Sequence, residues 1–567
     1  MEYCINQTMQ QLIECVPNFS EGRDSNTIKQ ITDAIAAVEG VQLLNVDPGK
    51  ATNRTVVTFV GTPEAVIEAA FQGIKTAGEV IDMRQHTGEH PRQGATDVCP
   101  LIPISNITME ETVEYAKRLA KRVGEELGIP AYLYESAATR PERQNLATIR
   151  AGEYEAIPSK LGKAEWQPDF GENEYNERVA QTGVTVIGAR DFLIAYNVNL
   201  NTTSVRRANA IAFDIREKGR IKTKGGKPLD DENGEPIRIP GTCKSVKGIG
   251  WFIEEYGIAQ ISMNLTNINV TPMHIAFEET RKSATRRGLR VTGSELVGMV
   301  PLKVMLDAGC YFLTQQKRSL GISENEIIHI AVKSLGLDEL APFDPQQKII
   351  EYRLQDLNAA PLLNMNLRAF AEETASESPA PGGGSISAYV GALGISLATM
   401  VANLSSHKRG WDARWEEFSD WAKKGQALKD RLLTLVDEDT NSFNAIMDAF
   451  RLPKGTDAEK TARTNAIQAA TRHAIEVPFE VMQLSLNSFE TIQAMAEIGN
   501  PNSVTDAGVG ALCARAAVHG AFLNVRINAG DLKDKSFVED VLAKGQAMVQ
   551  KADELERQVM EIVEGKI

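Results

Sequence analysis

Residues 41–81, VQLLNVDPGKATNRTVVTFVGTPEAVIEAAFQGIKTAGEVI, carry the pattern that decides the fold of the first part of the chain. Two apolar runs, 41–46 and 55–60, have the length and β-branched content of strands. Thr62 and Pro63 then open an amphipathic helix that reaches Ile81, with proline in its first turn. The segment therefore predicts two strands followed by a helix.

The flanking sequence extends this pattern. A strand at 12–16 and a helix at 25–38 precede the segment, and an apolar run at 98–104 follows it, which completes the β-α-β-β-α-β order of ferredoxin-like folds. A helix over 109–128 and a strand near Tyr132 come next. The same order recurs in predicted elements at 192–198, 203–217, 246–253, 258–263, 273–287 and from 291 onward.

After Pro301 the strand pattern gives way to helical periodicity. Helices are predicted at 302–315, 324–335, 411–450, 457–499, 505–528 and 535–565. The predicted fold is an α+β front end of two ferredoxin-like subdomains, followed by an all-α helical domain. The uncharged run 386–404 is as long as a membrane span, but its Gly, Ala and Ser content favours a buried helix.

The composition excludes several classes of protein. The chain has 567 residues, of which 43% are hydrophobic and 24% charged, as in ordinary globular proteins. Its formal net charge of −14 argues against a dedicated nucleic-acid binder. The six cysteines form no C-x-x-C pair and the first residues do not resemble a secretory signal, so reduced thiols and a cytoplasmic location are expected.

The stretch HTGEH, from His86 to His90, matches the H-x-x-E-H pattern of one metalloprotease class. Gly88 and Pro91 oppose the helix that such a zinc site needs, so we predict a loop and no metal. Two histidines in this loop suggest a site for proton transfer, because imidazole titrates near neutrality. Exposed loop histidines without function are the alternative.

Three further features are candidates for chemistry. The turns NFSEG (18–22) and Asp47-Pro48-Gly49 place polar groups at predicted strand ends, although turn chemistry alone explains both. The glycine loop 381–385 precedes a helix N-terminus, a place that favours anions, although a hinge has the same sequence. Asp439 shares a predicted helix face with Leu435 and Phe443, and a carboxylate on an apolar face is costly unless it is used or paired; a surface acidic cluster is the alternative.

Long blocks of the chain resemble two enzyme families. CVPNFSEG, NVDPG…TNRTVVTFVG, HTGEHPRQGATDVCP and TIRAGEYEAIPSKL…WQPDFG resemble glutamate formimidoyltransferase. SESPAPGGGS, TLVDED, RLPK and VHGAFLNVRIN resemble formimidoyltetrahydrofolate cyclodeaminase. Both sets in this order resemble the bifunctional formimidoyltransferase-cyclodeaminase family over nearly the whole chain.

This resemblance implies domains and activities. It implies a formiminotransferase N-terminal subdomain at 1–186, a C-terminal subdomain at 187–340, a linker at 341–364 and a helical, dimeric cyclodeaminase domain at 365–567. The transferase moves the formimino group from N-formimidoyl-L-glutamate to tetrahydrofolate. The cyclodeaminase, an ammonia-lyase, then cyclises 5-formimidoyltetrahydrofolate to 5,10-methenyltetrahydrofolate and releases ammonia. Both reactions belong to histidine degradation and one-carbon folate metabolism.

The resemblance also implies residue roles. His90 is the transferase acid and base, and Asp439 is the cyclodeaminase carboxylate. Folate is expected in a groove between the two transferase subdomains. The folate-binding segment comprises Gly171, Glu172, Asn173, Glu174, Tyr175, Asn176, Glu177, Arg178, Val179 and Gly183.

Supporting roles are expected from residue type. Asp47 and Glu21 are candidates to support His90, and Arg54, Arg92 and Arg150 are candidate partners for the carboxylates of folate. The glycine loop of Gly382, Gly383 and Gly384 is a further candidate part of a site. Tetrahydrofolate, expected in polyglutamylated form, is a co-substrate, and neither a metal nor a nucleotide is expected. The protein is expected to be a homo-oligomer built from dimers, without nucleic-acid or membrane partners.

Three alternatives stay open at this point. The chain is a folate-binding protein without turnover, a zinc hydrolase that uses His86 and His90, or a transferase whose helical domain hydrolyses methenyltetrahydrofolate. The loop 222–244, rich in Gly, Pro and charge, is predicted to be exposed and has no assigned role.

Overall fold

The structure is a computed structural model, and it describes residues 11–50, 52–88, 91–354 and 360–567. His90 and Glu89 therefore lie outside the described residues. The chain divides into two compact units. The sheet unit contains the chain up to Val304 together with Leu335–Leu354, and the helical unit contains Met305–Ser334 together with the chain from residue 360 onward.

The first part of the sheet unit alternates strands with helices that cover one face of a mixed sheet. Its elements are β1 (Leu12–Cys15), β2 (Asn18–Phe19), α1 (Ser25–Ala36), β3 (Val41–Gly49), β4 (Arg54–Gly61), α2 (Pro63–Val80), β5 (Thr96–Ser105), α3 (Met109–Leu127), β6 (Ala131–Glu135), α4 (Leu146–Ile149), α5 (Ile157–Lys160), α6 (Glu177–Thr182) and β7 (Thr185–Ala189).

These strands form one seven-stranded sheet in the order β1-β4-β2-β5-β7-β6, with β3 paired to β4. Most neighbours are antiparallel, but β5, β7 and β6 run parallel. Strand β7 is absent from the sequence prediction, and its five residues form a strand by pairing with β5 and β6. Apolar side chains of α1, α2 and α3 pack on one face and form the main core of this part.

The second part of the sheet unit has a sheet of its own. Its elements are β8 (Ile194–Leu200), α7 (Val205–Ile215), β9 (Arg220–Ile221), β10 (Thr223–Lys224), β11 (Lys227–Pro228), β12 (Arg238–Ile239), β13 (Val246–Ile253), β14 (Ile258–Leu265), α8 (Met273–Arg286) and β15 (Val291–Val297). The order β13-β14-β8-β15 is antiparallel throughout. The predicted exposed loop 222–244 is largely exposed, and it contains short paired strands.

The remaining elements are helical. They are α9 (Leu302–Gln315), α10 (Glu324–Leu335), α11 (Pro345–Lys348), α12 (Ile350–Leu354), α13 (Leu367–Thr374), α14 (Gly383–Ser406), α15 (Trp415–Arg451), α16 (Asp457–Ile498), α17 (Val504–Ala529) and α18 (Lys535–Glu564). Long helices α14 to α18 share one apolar core. An α/β front part followed by a mostly helical part is thus the architecture of this chain.

Local signals explain where several helices begin. Asp24 caps α1 by accepting a hydrogen bond from the backbone N–H of Asn26, immediately before the predicted helix start at residue 25. Thr108 and Thr456 each form a capping box with the glutamate three residues later, at the starts of α3 and α16. Strand β3 continues to Gly49 rather than ending at 46, because Asp47, Pro48 and Gly49 pair with β4.

The uncharged run 386–404 lies inside α14, which confirms the predicted helix. Two stretches, Gly383–Ser406 and Pro501–Ala529, are long and apolar enough to cross a membrane by length and composition, which is weak evidence. In the structure, 61% and 50% of their apolar windows are buried inside the protein. The small residues of α14 account for this burial, because they let α15 and α17 pack closely against it.

Glu14 is a buried carboxyl group on the sheet face that α1, α2 and α3 leave uncovered. Glu14 is 2% exposed, and this burial raises the pKa of its carboxyl group from 4.5 to about 7. The positive charge of Arg190 partly opposes the shift, and the negative charge of Glu351 adds to it. Because the folded protein binds this proton more tightly than the unfolded chain does, protonation of Glu14 stabilises the fold, and the full effect is present below the pKa of the unfolded chain. That stability is lost as the pH rises through about 7.

We therefore expect Glu14→Gln to stabilise the protein at pH 8 by up to about 3 kcal/mol, with little effect at pH 4.5. Urea denaturation at the two pH values measures the difference. Glu39→Gln, at an exposed site, is the matched control and should change stability equally at both pH values. A Glu14→Gln effect independent of pH would contradict the raised pKa.

Candidate active sites in the sheet unit and the helical unit

A buried carboxylate at the start of β5 binds two arginine side chains. Asp97 Oδ2 accepts hydrogen bonds from Arg54 Nη1 at 2.8 Å and from Arg150 Nη2 at 2.6 Å. Its Oδ1 accepts from the backbone N–H of Gln93 at 2.9 Å. The side chain of Asp97 is 1% exposed, so it cannot be solvated by bulk water. Two guanidinium groups on one carboxylate leave this trio with one net positive charge, which suits an anionic ligand.

Two further observations describe this arginine pair. Arg54 also donates from Nε and Nη2 to Asn18 Oδ1, at 2.9 and 2.6 Å. Burial lowers the pKa of the Arg54 guanidinium, and the charge of Asp97 opposes that shift. Arg150 Nε is buried and has no hydrogen-bond partner among the described residues. The net positive charge of the pair with Asp97 suits the predicted anion-binding role of Arg54 and Arg150.

Asp47 lies on the sheet face that α1, α2 and α3 leave uncovered, two residues before the end of β3. It is directly opposite Val56 of β4, and Val56 is directly opposite Asn18 of β2. Residues opposite one another in a sheet point to the same face. Asp47 is exposed on this face, on which Asn18 binds Arg54. Strand β3 therefore ends at Gly49 rather than just before Asp47, and the carboxylate of Asp47 is exposed.

The loop that leads to His90 is fixed against the turn between β3 and β4. His86 is 9% exposed, and its Nε2 donates to the backbone carbonyl of Asn53 at 2.9 Å. Asn53 returns a hydrogen bond from Nδ2 to the carbonyl of Thr87 at 3.0 Å. A Cβ on Gly88 would lie 2.3 Å from the Thr52 carbonyl oxygen, so glycine is needed there. His86 is thus a structural member of this loop.

Arg92 is held entirely by protein groups. Its Nε donates to His86 Nδ1, and its four Nη hydrogens are directed at Glu153, Glu155 and the His86 carbonyl. All five guanidinium donors are therefore used, and Glu155 raises the pKa of Arg92. In this structure Arg92 orders the loop and has no donor left for a substrate carboxylate, unlike Arg150. A cavity of about 390 Å³ opens beside Thr87, Gly88 and Arg92.

Glu21 serves its own turn in this structure. Its Oε1 accepts from the backbone N–H groups of Arg23 and Asp24, at 2.7 and 2.9 Å. These bonds order the entry into α1 and leave Oε2 for other partners. The carboxylate thus supports the NFSEG turn directly.

The predicted folate segment divides into an exposed half and an enclosed half. Residues 171–177 are exposed, while Val179 and Gly183 are buried against the sheet. Arg178 donates to the carbonyls of Leu127 and Gly78, and Asn176 caps α6. The exposed half has the side chains of Glu172, Asn173, Glu174 and Tyr175 available to a ligand, whereas the enclosed half positions them.

In the helical unit, the structure brings the glycine loop and Asp439 together. Asp439 Oδ2 accepts from the backbone N–H of Ser385 at 2.8 Å and from its hydroxyl at 3.1 Å. Ser385 lies in the first turn of α14, where free N–H groups and the helix dipole favour a carboxylate. A Cβ on Gly384 would lie 2.1 Å from Asp439 Oδ1, so only glycine leaves room for this contact.

Burial raises the pKa of Asp439, and the two hydrogen bonds from Ser385 partly oppose that shift. A partly desolvated carboxylate with a raised pKa is a candidate for proton transfer. The prediction that Asp439 shares an apolar face of α15 with Leu435 and Phe443 was wrong for Phe443, which is 42% exposed. Asp439 therefore lies at the margin of the core, where a ligand can reach it.

Asp437, two residues away, has a different environment. It is 4% exposed and accepts hydrogen bonds from the backbone N–H groups of Leu362 and Leu363, at 2.9 and 3.2 Å. It thus attaches the segment before α13 to α15. Asp437 therefore has a structural role, whereas Asp439 contacts the glycine loop. The sequence TLVDED alone does not distinguish the two carboxylates.

The described residues contain no cluster of three or more His, Cys, Asp or Glu side chains arranged to hold a metal ion. Both ring nitrogens of His86 are engaged, with the Asn53 carbonyl and with Arg92. A zinc site that uses His86 would have to break both bonds, which argues against the zinc-hydrolase alternative.

A basic cluster in one unit and a desolvated carboxylate in the other define an enzyme with two separate candidate active sites. The family models agree with this division. "Formiminotransferase domain, N-terminal subdomain" matches residues 12–190, "Formiminotransferase domain" matches 195–355, and "Formiminotransferase-cyclodeaminase" matches 366–547. The chain belongs to the formimidoyltransferase-cyclodeaminase family.

Individual relatives cover the whole chain or one part of it. Formimidoyltransferase-cyclodeaminase of Rattus norvegicus is 44% identical over 545 residues, 96% of this chain and 97% of the relative. Glutamate formimidoyltransferase of Thermoplasma acidophilum is 45% identical and covers 53% of this chain and 92% of its own length. Methenyltetrahydrofolate cyclohydrolase of Methylorubrum extorquens is 34% identical and covers 36% of this chain and 98% of its own length.

Sequence reasoning missed the roles of Asp97 and Asn53, and it included Asn18 and Ser385 only as members of the NFSEG turn and the glycine loop. Asp97, Asn18 and Asn53 hold the arginines and the loop, and Ser385 holds Asp439. Asp97 lies inside the quoted HTGEHPRQGATDVCP block, which was the available signal. Its partners come from distant parts of the chain, so only the fold reveals its role.

The contrast between Asp437 and Asp439 generates a stability prediction. We expect Asp437→Ala to destabilise the helical unit by about 2–3 kcal/mol, because two buried backbone N–H groups lose a charged acceptor. Asp439→Asn should leave stability equal or higher, because a partly desolvated carboxylate is removed. Differential scanning calorimetry of the full chain measures both. Equal losses in the two variants would contradict the separation of tasks.

Proposed function

We propose that this chain carries both activities of its family in one polypeptide. The sheet unit transfers the formimino group from N-formimidoyl-L-glutamate to tetrahydrofolate. The helical unit cyclises the 5-formimidoyltetrahydrofolate to 5,10-methenyltetrahydrofolate and releases ammonia. The observation that carries the proposal is the 44% identity over 96% of the chain, which spans both units.

The transfer step needs one proton-accepting and one proton-donating group. N5 of tetrahydrofolate attacks the formimino carbon, and a tetrahedral species forms. The bond from that carbon to the glutamate nitrogen then breaks, and glutamate leaves as an amine. His90 takes the proton from N5 and returns one to the leaving nitrogen. Asp47, exposed on the uncovered sheet face, is the candidate to orient the imidazole.

Charge supports this assignment of the substrate class. Arg54 and Arg150 share Asp97, and the net positive charge of these three side chains suits a carboxylate of the glutamate or of the folate tail. The exposed residues 171–177 are proposed to contact the folate, as the family resemblance implies. No metal and no nucleotide take part in the proposed steps. The folate is proposed to be polyglutamylated.

The cyclisation step needs positioning and a negative charge. N10 of the folate attacks the formimino carbon attached to N5, and ammonia leaves. Because the reaction is intramolecular, holding the folate in the closing geometry supplies much of the acceleration. The product is a delocalised cation, which the carboxylate of Asp439 stabilises. Its raised pKa also allows it to relay the proton that ammonia requires.

Finer features of the architecture are part of the same proposal. Both halves of the sheet unit are proposed to be ferredoxin-like, and the order β13-β14-β8-β15 supports this for the second half. The proposed domain boundaries are 1–186, 187–340, 341–364 and 365–567. A cytoplasmic location is proposed as well, in agreement with reduced cysteines.

The proposed oligomer is built from dimers. Helices α14 and α17 pack together and expose apolar side chains that a second copy would cover. Leu393 and Leu404 of α14 are 45% and 47% exposed, and Leu523 and Ile527 of α17 are 63% and 75% exposed. Apolar surface of this kind marks an interface in homo-oligomers.

The test follows methenyltetrahydrofolate absorbance and ammonia release together, after N-formimidoylglutamate and tetrahydrofolate are added. We expect His90→Ala to abolish transfer by at least about a hundredfold, as for other acid–base residues. The same variant should keep cyclodeaminase activity on supplied 5-formimidoyltetrahydrofolate. His86→Ala should be milder in the chemical step. Loss of both activities in well-folded His90→Ala protein would disprove separate sites.

A second observation, the 34% identity to a methenyltetrahydrofolate cyclohydrolase, favours one alternative. In that case the helical unit would hydrolyse methenyltetrahydrofolate, and a transferase lacking cyclodeaminase activity would release no ammonia. A protein that only binds folate would show neither signal. Ammonia release therefore identifies the bifunctional enzyme, and loss of absorbance of supplied methenyltetrahydrofolate separates a cyclohydrolase from a protein that only binds folate.

The contact between Gly384 and Asp439 generates a further prediction. Gly384→Ala should reduce cyclisation by about a hundredfold, because the added methyl group displaces the carboxylate. Transfer should continue, so 5-formimidoyltetrahydrofolate accumulates at early times. Gly382→Ala is the matched control, since the nearest atom to its added Cβ is 3.7 Å away, and cyclisation should stay within a fewfold of normal. Equal activity of the two variants would refute the role of Asp439.

A further inference from the structure

Polar side chains from two neighbouring helices contact the first turn of α14. Asp439 of α15 lies against Gly384, and Asn524 of α17 lies against Gly383. A Cβ on Gly383 would be 3.2 Å from Asn524 Nδ2 and 3.6 Å from its Oδ1. Consecutive Cα atoms are about 3.8 Å apart. The carboxylate and the carboxamide therefore flank a single backbone step of the glycine loop.

The carboxamide of Asn524 has a fixed orientation. Its Nδ2 donates to the carbonyl of Gly520, one turn earlier in α17, at 2.9 Å. Gly520 in turn packs on α14, because a Cβ there would collide with Ser387 Oγ. Ser387 Oγ donates to the carbonyl of Gly383 at 2.7 Å. These contacts hold α17 close to the glycine loop and direct the carboxamide toward it.

Each of the two side chains has one oxygen that the described residues do not use. Both hydrogen bonds from Ser385 go to Asp439 Oδ2, and Oδ1 receives none from the described parts of the chain. Asn524 Oδ1 also receives none there, since the bond of this side chain is made by Nδ2. Asn524 is half-buried and Gly383 is exposed. A ligand therefore reaches a place with two hydrogen-bond acceptors, one charged and one neutral.

Two acceptors at this place suit a ligand group that has N–H donors. An ammonium group has only donors, so it satisfies a carboxylate and a carboxamide oxygen at the same time. The positive end of the α14 dipole disfavours a cation at this place. A cationic nitrogen is therefore stable here only while both acceptors bind it. This balance favours a nitrogen that acquires charge during a reaction and then leaves.

The cyclisation step produces such a nitrogen. When N10 attacks the protonated formimino group, a bond forms between N10 and the formimino carbon. The proton on N10 passes through Asp439 to the formimino nitrogen, which becomes an ammonium group. The bond from carbon to this nitrogen then breaks, and its electron pair leaves with ammonia. N5 and N10 share the positive charge of the methenyl product, so atoms and charge balance without a further reagent.

We propose that Asn524 Oδ1 accepts a hydrogen bond from the leaving nitrogen in the cyclodeaminase step, and that free ammonium binds at the same place. This inference rests on the proposed function of the helical unit. It divides the reaction between two helices, with proton transfer at Asp439 of α15 and leaving-group recognition at Asn524 of α17. A neutral acceptor stabilises the charged nitrogen in the transition state and still releases the product, which a second carboxylate would retain.

The decisive variant is Asn524→Ala in the full chain, assayed on supplied 5-formimidoyltetrahydrofolate. We expect kcat for ammonia release to fall about tenfold or more, since a hydrogen bond to a charged group contributes on that scale. KM should stay within about twofold, because the bond strengthens only as the nitrogen acquires charge. The inhibition constant of ammonium chloride, a product inhibitor, should rise about tenfold. Tetramethylammonium chloride at equal ionic strength is the salt control, because it has no N–H donor.

Asn524→Asp provides a second variant, which keeps the shape of the side chain and adds a negative charge. Its inhibition constant for ammonium should fall below that of the wild type, opposite in direction to Asn524→Ala. A purely structural role would not move the two constants in opposite directions. Asn528→Ala is the matched control, because Asn528 lies one turn later in α17 and its Nδ2 donates to the Ala474 carbonyl of α16 at 2.7 Å. Its kcat and ammonium inhibition should equal those of the wild type.

The outcomes separate this inference from the proposed function. A wild-type protein that releases no ammonia from 5-formimidoyltetrahydrofolate overturns the proposed function of the helical unit, and with it the inference. An active wild type with unchanged ammonium inhibition in both Asn524 variants overturns the inference alone. A lower kcat with unchanged ammonium inhibition shows that Asn524 only packs α17 against the glycine loop, which also overturns it. If a thermal melt shows that Asn524→Ala does not fold, Asn524→Asp decides, and an inhibition constant at or above the wild-type value overturns the inference.

Discussion

The close approach of neighbouring helices to α14 is the constraint on which the helical unit depends. A Cβ on Gly391 would lie 2.6 Å from Ser485 Oγ, and one on Gly394 would lie 2.9 Å from the Gly510 carbonyl. Larger residues would push α16 and α17 away from this central helix. The same closeness at the start of α14 admits Asp439 to the first turn beside Gly384. Packing and the candidate cyclodeaminase site therefore depend on one stripe of small residues.

The sheet unit uses buried charge in a comparable way. Asp97 is almost fully buried, which is tolerable because two guanidinium groups and a backbone N–H surround it. Arg92 shows the opposite balance, since two glutamates neutralise it and it orders the loop that leads to His90. The three arginines that were predicted as anion partners thus divide into a pair with net positive charge and one structural member. The number of carboxylates beside them accounts for the difference.

Periodicity and capping signals predicted most elements within a few residues. Helices α9 and α10 and strand β13 have the predicted bounds, because each has a strong period and clear flanking residues. Strand β7 was missed, and β3 was predicted to end too early. Both errors concern residues that become strands through pairing with a neighbour that is distant in sequence or lies across a turn. Such pairing has no local signature.

The sequence by itself determined the family, the two-part architecture and the two candidate catalytic residues, because those depend on contiguous motifs and on local periodicity. Only the tertiary structure decided that Asp437 is structural while Asp439 faces the glycine loop. It also decided that His86 is held by Asn53 and Arg92 and is structural. The physical reason is that burial, donor counts and charge pairing are properties of the space around a side chain. That space is built by chain segments that are tens to hundreds of residues apart.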